Sequence, residues 1–224
     1  MTLQLRPLTA ADAEAAAAIY NDSVRDTDAA LDMAERTHEE ALRWIGEHSG
    51  PRYPALGATI DGELAGYGTL SPFARRAGYL ASAEISIYVA PHRKRVGVGR
   101  ALCAALTRDA EGAGLSTVLA LITSTNVASH RLFASAGYEH TGTMRHIGYK
   151  LGRLVDLDVL QRVFPDNFPL YDGTPLEALL NSNGSAAQRG SSARGQARRE
   201  PGPDARRGRG LGQCDQGDPA VTGR

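Results

Sequence analysis

The run Ile87-Tyr88-Val89-Ala90-Pro91-His92-Arg93-Lys94-Arg95-Val96-Gly97-Val98-Gly99-Arg100-Ala101-Leu102 constrains the fold of this chain more than any other segment. It reads as a strand, then a basic turn holding two glycines, then a helix from Gly97 to about Glu111. A strand feeding a helix in this way belongs to a sheet with helices packed on it. Gly97 and Gly99 remove side chains where a ligand would approach the backbone. The freed amides and the helix N-terminus together form an anion site, and Lys94, Arg95 and Arg100 add full positive charge. A phosphate-bearing ligand is therefore expected; a tight turn before a helix is the plain alternative. The spacing G-x-x-x-x-G-K-[ST] is absent, which disfavours a nucleotide triphosphatase. The third glycine of a dinucleotide fingerprint is also missing, since Cys103 and its neighbours are not glycine.

Around this segment, strands and helices alternate. Leu3-Gln4-Leu5-Arg6 has strand alternation, and Thr9 is placed to cap an Ala-rich helix. Thr37 followed by Glu40 is a capping box opening a second helix. Ala55–Ile60 and Leu64–Leu70 flank Asp61-Gly62, a strong hairpin signal. Glu84–Val89, Thr117–Ile122, Thr141–Tyr149 and Val155–Val163 read as further strands, and Ser129–Ala136 as a helix. The order β-α-α-β-β-β-α-β-α-β-β predicts an α/β protein of the α+β type: a mixed, mainly antiparallel sheet with helices on both faces.

Composition changes near residue 170. Residues 171–224 carry eight arginines, no lysine, six acids and a single aromatic, Tyr171. Too little apolar surface is present there to offset chain entropy, so the reading is one domain over 1–170 and a disordered Gly/Ala/Arg-rich tail over 171–224. Leu176 to Leu180 is expected to form a short helical turn at most. An Arg/Gly-rich tail can hold nucleic acid, but interspersed acids and missing aromatics favour a passive extension. Lys+Arg and Asp+Glu number 25 each, which argues against a polyanionic partner. Cys103 lies in an apolar helical stretch and Cys214 in the polar tail, so no disulfide framework is expected. No apolar run approaches the roughly 18 residues of a membrane span, and no signal-peptide pattern opens the chain. A cytoplasmic protein follows from these readings. The histidines and acids lack any metal-ligand spacing such as H-E-x-x-H, so no metal is expected.

The basic loop resembles the acetyl-CoA loop of GNAT acetyltransferases, [Q/R]-x-x-G-x-[G/A], with Lys94 at the first position. Asn126-Val127-Ala128-Ser129-His130-Arg131-Leu132-Phe133-Ala134-Ser135-Ala136-Gly137-Tyr138 resembles that superfamily's N-x-x-S-x-x-L-[YH]-x-x-x-G-[FY]. Over residues 3 to about 165 the chain is most similar to the phosphinothricin / methionine sulfoximine acetyltransferase family. The resemblance implies a GNAT fold, acetyl-CoA as co-substrate and a homodimer. It places the coenzyme pyrophosphate on Lys94, Arg95, Val96, Gly97, Val98, Gly99 and Arg100. Ile87, Tyr88 and Val89 would bond its pantetheine arm and acetyl group, and Asn126 would make a further contact; a plain N-cap is the other reading of Asn126.

Glu84 sits in Ala83-Glu84-Ile85-Ser86-Ile87-Tyr88-Val89, where a carboxylate among apolar strand residues is costly unless paired or used. The resemblance implies a catalytic Glu84, and the chemistry needs one: an ammonium acceptor must lose a proton before it attacks a thioester. A surface Glu at a strand end is the alternative. The segment from Ser71 to Tyr79 resembles the family's acceptor-pocket motif. It offers Phe73, Arg75, Arg76 and Tyr79, with Glu84, Ile85 and Ser86, as acceptor-binding residues, and either arginine can grip a carboxylate. Phe133 stands where relatives have Tyr or His and cannot protonate a departing thiolate. Water or another group would do so, or His130 would, or the protein is slow or inactive. Leu154 and Leu31 replace a Trp and a Phe. The expected function is direct acetyl transfer to the amine of a small amino-acid-like acceptor. The alternative is a non-catalytic coenzyme A-binding regulatory module.

Overall fold

The computed structural model describes residues 2–182, with side chains through residue 179. The expected disorder of residues 183–224 lies outside the described residues. Seven strands form one sheet: β1 (Leu3–Pro7), β2 (Ala55–Ile60), β3 (Glu63–Pro72), β4 (Ser82–Val89), β5 (Thr117–Thr123), β6 (Glu139–Lys150) and β7 (Arg153–Val163), in the spatial order β1-β2-β3-β4-β5-β7-β6. Every neighbouring pair is antiparallel except β4 and β5. The helices are α1 (Ala13–Asp26), α2 (His38–Glu47), α3 (Val98–Gly112), α4 (Val127–Ser135) and α5 (Leu176–Ser182). The mixed sheet and the element order are those expected from the sequence. Helix α5 is longer than the single turn expected, and Tyr171, just past the expected boundary, donates its hydroxyl proton to the Gly114 carbonyl.

Local chemistry explains the element ends. Asp61 and Gly62 both hold positive φ (51° and 90°), as a two-residue type I′ hairpin requires. Thr37 accepts from the Glu40 amide and Glu40 accepts from the Thr37 amide, closing the capping box of α2. Thr9 does not cap α1 directly. A 3-10 turn over Ala10–Asp12 intervenes, and Asp12 accepts from the Thr9 amide and hydroxyl while Arg6 grips it with both guanidinium ends at 2.7 Å.

Strand alternation divides the core. Ala83 and Ile85 of β4 pack with α3 residues Cys103 and Leu106 and with Val118, Ala120 and Ile122 of β5. On the opposite face α1 and α2 bury Ala13, Ile19, Tyr20, Ala41 and Ile45 over Tyr67 and Tyr88. Gly66 and Gly68 let α3 lie close to β3: a Cβ on either would come within 2.8 Å of Val98 or 2.7 Å of Leu106. The sheet thus carries helices on both faces.

Candidate active site

The parallel β4–β5 pairing is short. It joins Ser82 to Thr117, Ala83 to Val118 and Glu84 to Leu119, and then stops. From Ile85 onward β4 pairs with β3 alone, so its other edge opens away from β5. The Ala90 amide donates to the Ala65 carbonyl, which sets the phase of the antiparallel ladder. Hydrogen-bonded pairs alternate along such a ladder. Tyr88, Ser86 and Glu84 therefore bond to β3, while the backbones of Val89, Ile87 and Ile85 point into the opening.

Beyond the opening lies the basic loop. Arg95 and Gly97 both hold positive φ, 64° and 93°. Gly97 is the N-cap of α3 and has no side chain to cap it. The first backbone bond back to the cap is Ala101 N–H to the Gly97 carbonyl at 3.0 Å. Among the described residues the amides of 94–100 have no acceptor outside the helix. Seven consecutive N–H groups, at the positive end of a helix dipole and flanked by exposed Lys94, Arg95 and Arg100, fit a pyrophosphate well. The Val98 side chain is core and Val96 is exposed, so the loop offers backbone rather than side chains. A Cβ on Gly99 would touch Leu132 of α4 at 3.4 Å, so this glycine also brings α3 against α4.

Ile85 and Tyr88 send their side chains to opposite faces of the sheet. Ile85 was expected on the acceptor side, but its side chain is in the α3-side core and only its backbone reaches the opening. Tyr88 was expected on the coenzyme side, but its backbone is committed to β3 and its ring faces α1 and α2. The cause is the two-residue period of a strand, which sends side chains to alternate faces and backbone groups to alternate edges.

Glu84 is half-buried at the point where β4 and β5 part. Its carboxylate has no ion-pair or hydrogen-bond partner among the described residues, and burial raises its pKa above the ordinary 4.5. Asn126 uses its side-chain oxygen to cap α4, accepting from the Ser129 amide at 3.1 Å, which leaves its NH2 for a ligand. Phe133 is 4% exposed and packs edge-to-face on Tyr138. His130 is drawn towards Asp158 of β7, at 3.2 Å, a strand away from the opening. Phe73 and Tyr79 pack edge-to-face with centroids 5.5 Å apart, and Arg75 and Arg76 between them are exposed.

An aromatic group on the α1/α2 face was not legible in the sequence. Tyr20 and Tyr67 pack on Tyr88, and Trp44 packs on Tyr67. The Arg36 guanidinium lies 4.1 Å from the Tyr20 ring centroid and 4.9 Å from that of Trp44. Asn21 pins the Arg36 backbone from both sides, donating to its carbonyl and accepting from its amide. The Tyr67 hydroxyl is buried with no hydrogen bond of good geometry, and burial pushes the Tyr88 hydroxyl up to about 12. These residues lie in four elements and a loop, with no common spacing; only the capping box after Arg36 hinted at its position.

Residues 5–159 match the family model described as acetyltransferase (GNAT) domain. The chain belongs to the GNAT acetyltransferases. Phosphinothricin N-acetyltransferase of Streptomyces coelicolor is 34% identical over 163 residues, which is 71% of this chain and 95% of that relative. The L-methionine sulfoximine/L-methionine sulfone acetyltransferase of Pseudomonas aeruginosa is 33% identical over 162 residues, 72% of this chain and 94% of its own length. Among solved structures, a GNAT superfamily phosphinothricin acetyltransferase from Sinorhizobium meliloti in complex with acetyl-CoA superposes with a TM-score of 0.72 at 29% identity, covering 75% of this chain and 92% of the other. In this GNAT acetyltransferase the opened β4 edge and the uncapped α3 terminus lie on one side of the sheet's parting. Glu84 and the aromatic group lie on the other. No group of His, Cys, Asp and Glu among the described residues has the arrangement of a metal site, and no described helix is long and apolar enough to cross a membrane.

Proposed function

We propose that the chain transfers the acetyl group of acetyl-CoA to the amine of a small amino-acid-like acceptor, of the phosphinothricin or methionine sulfoximine kind, by direct attack. The observation that carries this reading is the place of Glu84: an unpaired, half-buried carboxylate where β4 and β5 separate, beside an open strand edge. The amides of 94–100 and the NH2 of Asn126 hold the coenzyme. The inward-facing backbones of Ile87 and Val89 bond its pantetheine arm, and the Val89 amide donates to the thioester oxygen as it gains charge. Glu84, kept basic by burial, takes the ammonium proton, directly or through one water. Phe133 supplies no proton, so water meets the departing thiolate.

Phe73 and Tyr79 frame the acceptor mouth with Ser86, and Arg75 or Arg76 draws an anionic group of the acceptor to it. The relatives' names support an amino-acid-like acceptor. A homodimer in the cytoplasm is part of the same reading. Ile147, Tyr149 and Leu154 form an exposed apolar strip on the β6–β7 hairpin at the sheet's edge, which a second copy would cover.

The test is a screen of amino acids, phosphinothricin, methionine sulfoximine and simple amines for release of coenzyme A thiol, with the acetylated product identified by mass. The expected result is saturable release with an amino-acid-like amine. Release with none of them, by protein that binds acetyl-CoA, would refute the substrate reading.

A further inference from the structure

Ser71 of β3 is the cross-strand partner of Glu84, and the two side chains share the α1/α2 face. Its hydroxyl stands opposite the Glu84 side chain as a hydrogen-bond donor, yet among the described residues no bond joins the two. Ser71 bonds elsewhere, to His48 Nε2 at 2.9 Å. His48 follows α2 directly, is 8% exposed, and its ring packs on Trp44 with centroids 4.7 Å apart. Its Nδ1 lies 2.7 Å from the Trp44 carbonyl. A carbonyl only accepts, so Nδ1 carries the proton. In that tautomer the other ring nitrogen, Nε2, carries no proton and can only accept. The bond to Ser71 therefore has a fixed direction: Ser71 donates and His48 accepts. The one proton Ser71 could offer Glu84 is committed away from it.

We propose that His48 is a positioning residue that turns the Ser71 hydroxyl away from the Glu84 carboxylate, and so keeps that carboxylate the stronger proton acceptor. The inference rests on Glu84 being the general base. A carboxylate that gains a donor is stabilised in its charged form and becomes a weaker base. The Trp44 carbonyl thus acts on Glu84 through two intervening side chains by fixing which way each proton points. The other ionisable groups facing this side are Tyr88 on the same strand, Tyr67 on β3, Tyr20 on α1, and Asp32 and Arg36 between α1 and α2. None enters the raised pKa of Glu84, for which burial is the cause.

The experiment is the acid limb of kcat/KM against pH for the intact chain, with an acceptor found by screening. His48→Phe keeps the stacking on Trp44 but removes the acceptor, so Ser71 turns its hydroxyl to Glu84. The limb should fall by about half to one pH unit, the shift one added hydrogen bond produces. His48→Gln retains an acceptor oxygen and should keep the wild-type limb, as should Ser71→Ala. In His48→Phe/Ser71→Ala no donor remains, and the limb should return to the wild-type position. A merely structural role moves melting temperature and predicts no such restoration by a second deletion. His48→Leu replaces His48→Phe if that variant does not fold. An unmoved limb in His48→Phe, or a double variant that keeps the displaced limb, overturns the inference. Glu84→Gln run alongside separates the two claims: if it retains the limb, the general-base reading fails and this inference with it.

Discussion

At Gly97 the backbone holds φ 93° at the start of α3, and a Cβ placed there would meet nothing within 4 Å. Substitution by alanine therefore introduces backbone strain without a clash. Gly97→Ala should lower stability by about 1–2 kcal/mol, read by denaturant titration. It should also weaken acetyl-CoA binding measured by calorimetry, because relaxing φ turns the loop amides away from a common centre. Unchanged affinity in a folded variant would contradict the loop assignment. This position was legible because glycine alone tolerates such a φ and the basic residues around it are a charge signal. Phe133 was legible as a departure from its relatives, but not its surroundings. The structure puts its ring in the core against Tyr138, whose hydroxyl bonds Thr107 at 3.0 Å. His130, the other candidate donor of that proton, has its Nε2 3.2 Å from the Asp158 carboxylate of β7.

The joint between β1 and α1 carries its own electrostatics. The Arg6 guanidinium first, then the Thr9 amide and hydroxyl, hold Asp12 at about 2 against an ordinary 3.8. A depressed carboxylate contributes stability that is present above its unfolded value and lost as pH falls through the folded one. Asp12→Asn should cost about 1 kcal/mol at neutral pH, as lost N-terminal caps do. The gap between wild type and variant should close between about pH 4 and pH 2, followed by thermal melts across that range. A constant gap would show that packing, not charge, sets the cost. Element boundaries came through in the sequence where chemistry marks them: the Asp61-Gly62 turn, the Thr37–Glu40 box, the glycines before α3. The phase of β4 did not. Ala83, Ile85, Ile87 and Val89 alternate with Glu84, Ser86 and Tyr88, which separates two faces but does not say which edge each backbone serves; the Ala90–Ala65 bond shows that Ile85 presents its backbone to the opening, and the Tyr88 ring packs on the α1/α2 side.

For the molecule as a whole, sequence order implied the sheet, because strands that alternate with amphipathic helices leave few ways to cover both faces. What sequence order does not encode is the early end of the β4–β5 pairing at Glu84 and Leu119. That parting is a property of two strands diverging in space, and it leaves the β4 edge unpaired beyond Glu84. The face shared by Tyr20, Arg36, Trp44, His48 and Tyr67 was hidden for the same reason: α1, α2 and β3 assemble it from distant segments. Glu84 lies at that parting, and its raised pKa comes from burial without a partner among the described residues. Raising a carboxylate's pKa means it accepts protons at a higher pH than usual, so activity should fall as pH drops through a value above 4.5. The direct test is kcat/KM against pH for the wild type and Glu84→Gln, with acetyl-CoA affinity measured in parallel. Glu84→Gln should lose about 10²–10⁴-fold in turnover together with the acid limb, and bind acetyl-CoA nearly as the wild type does; wild-type turnover with the same limb would rule out Glu84 as the general base.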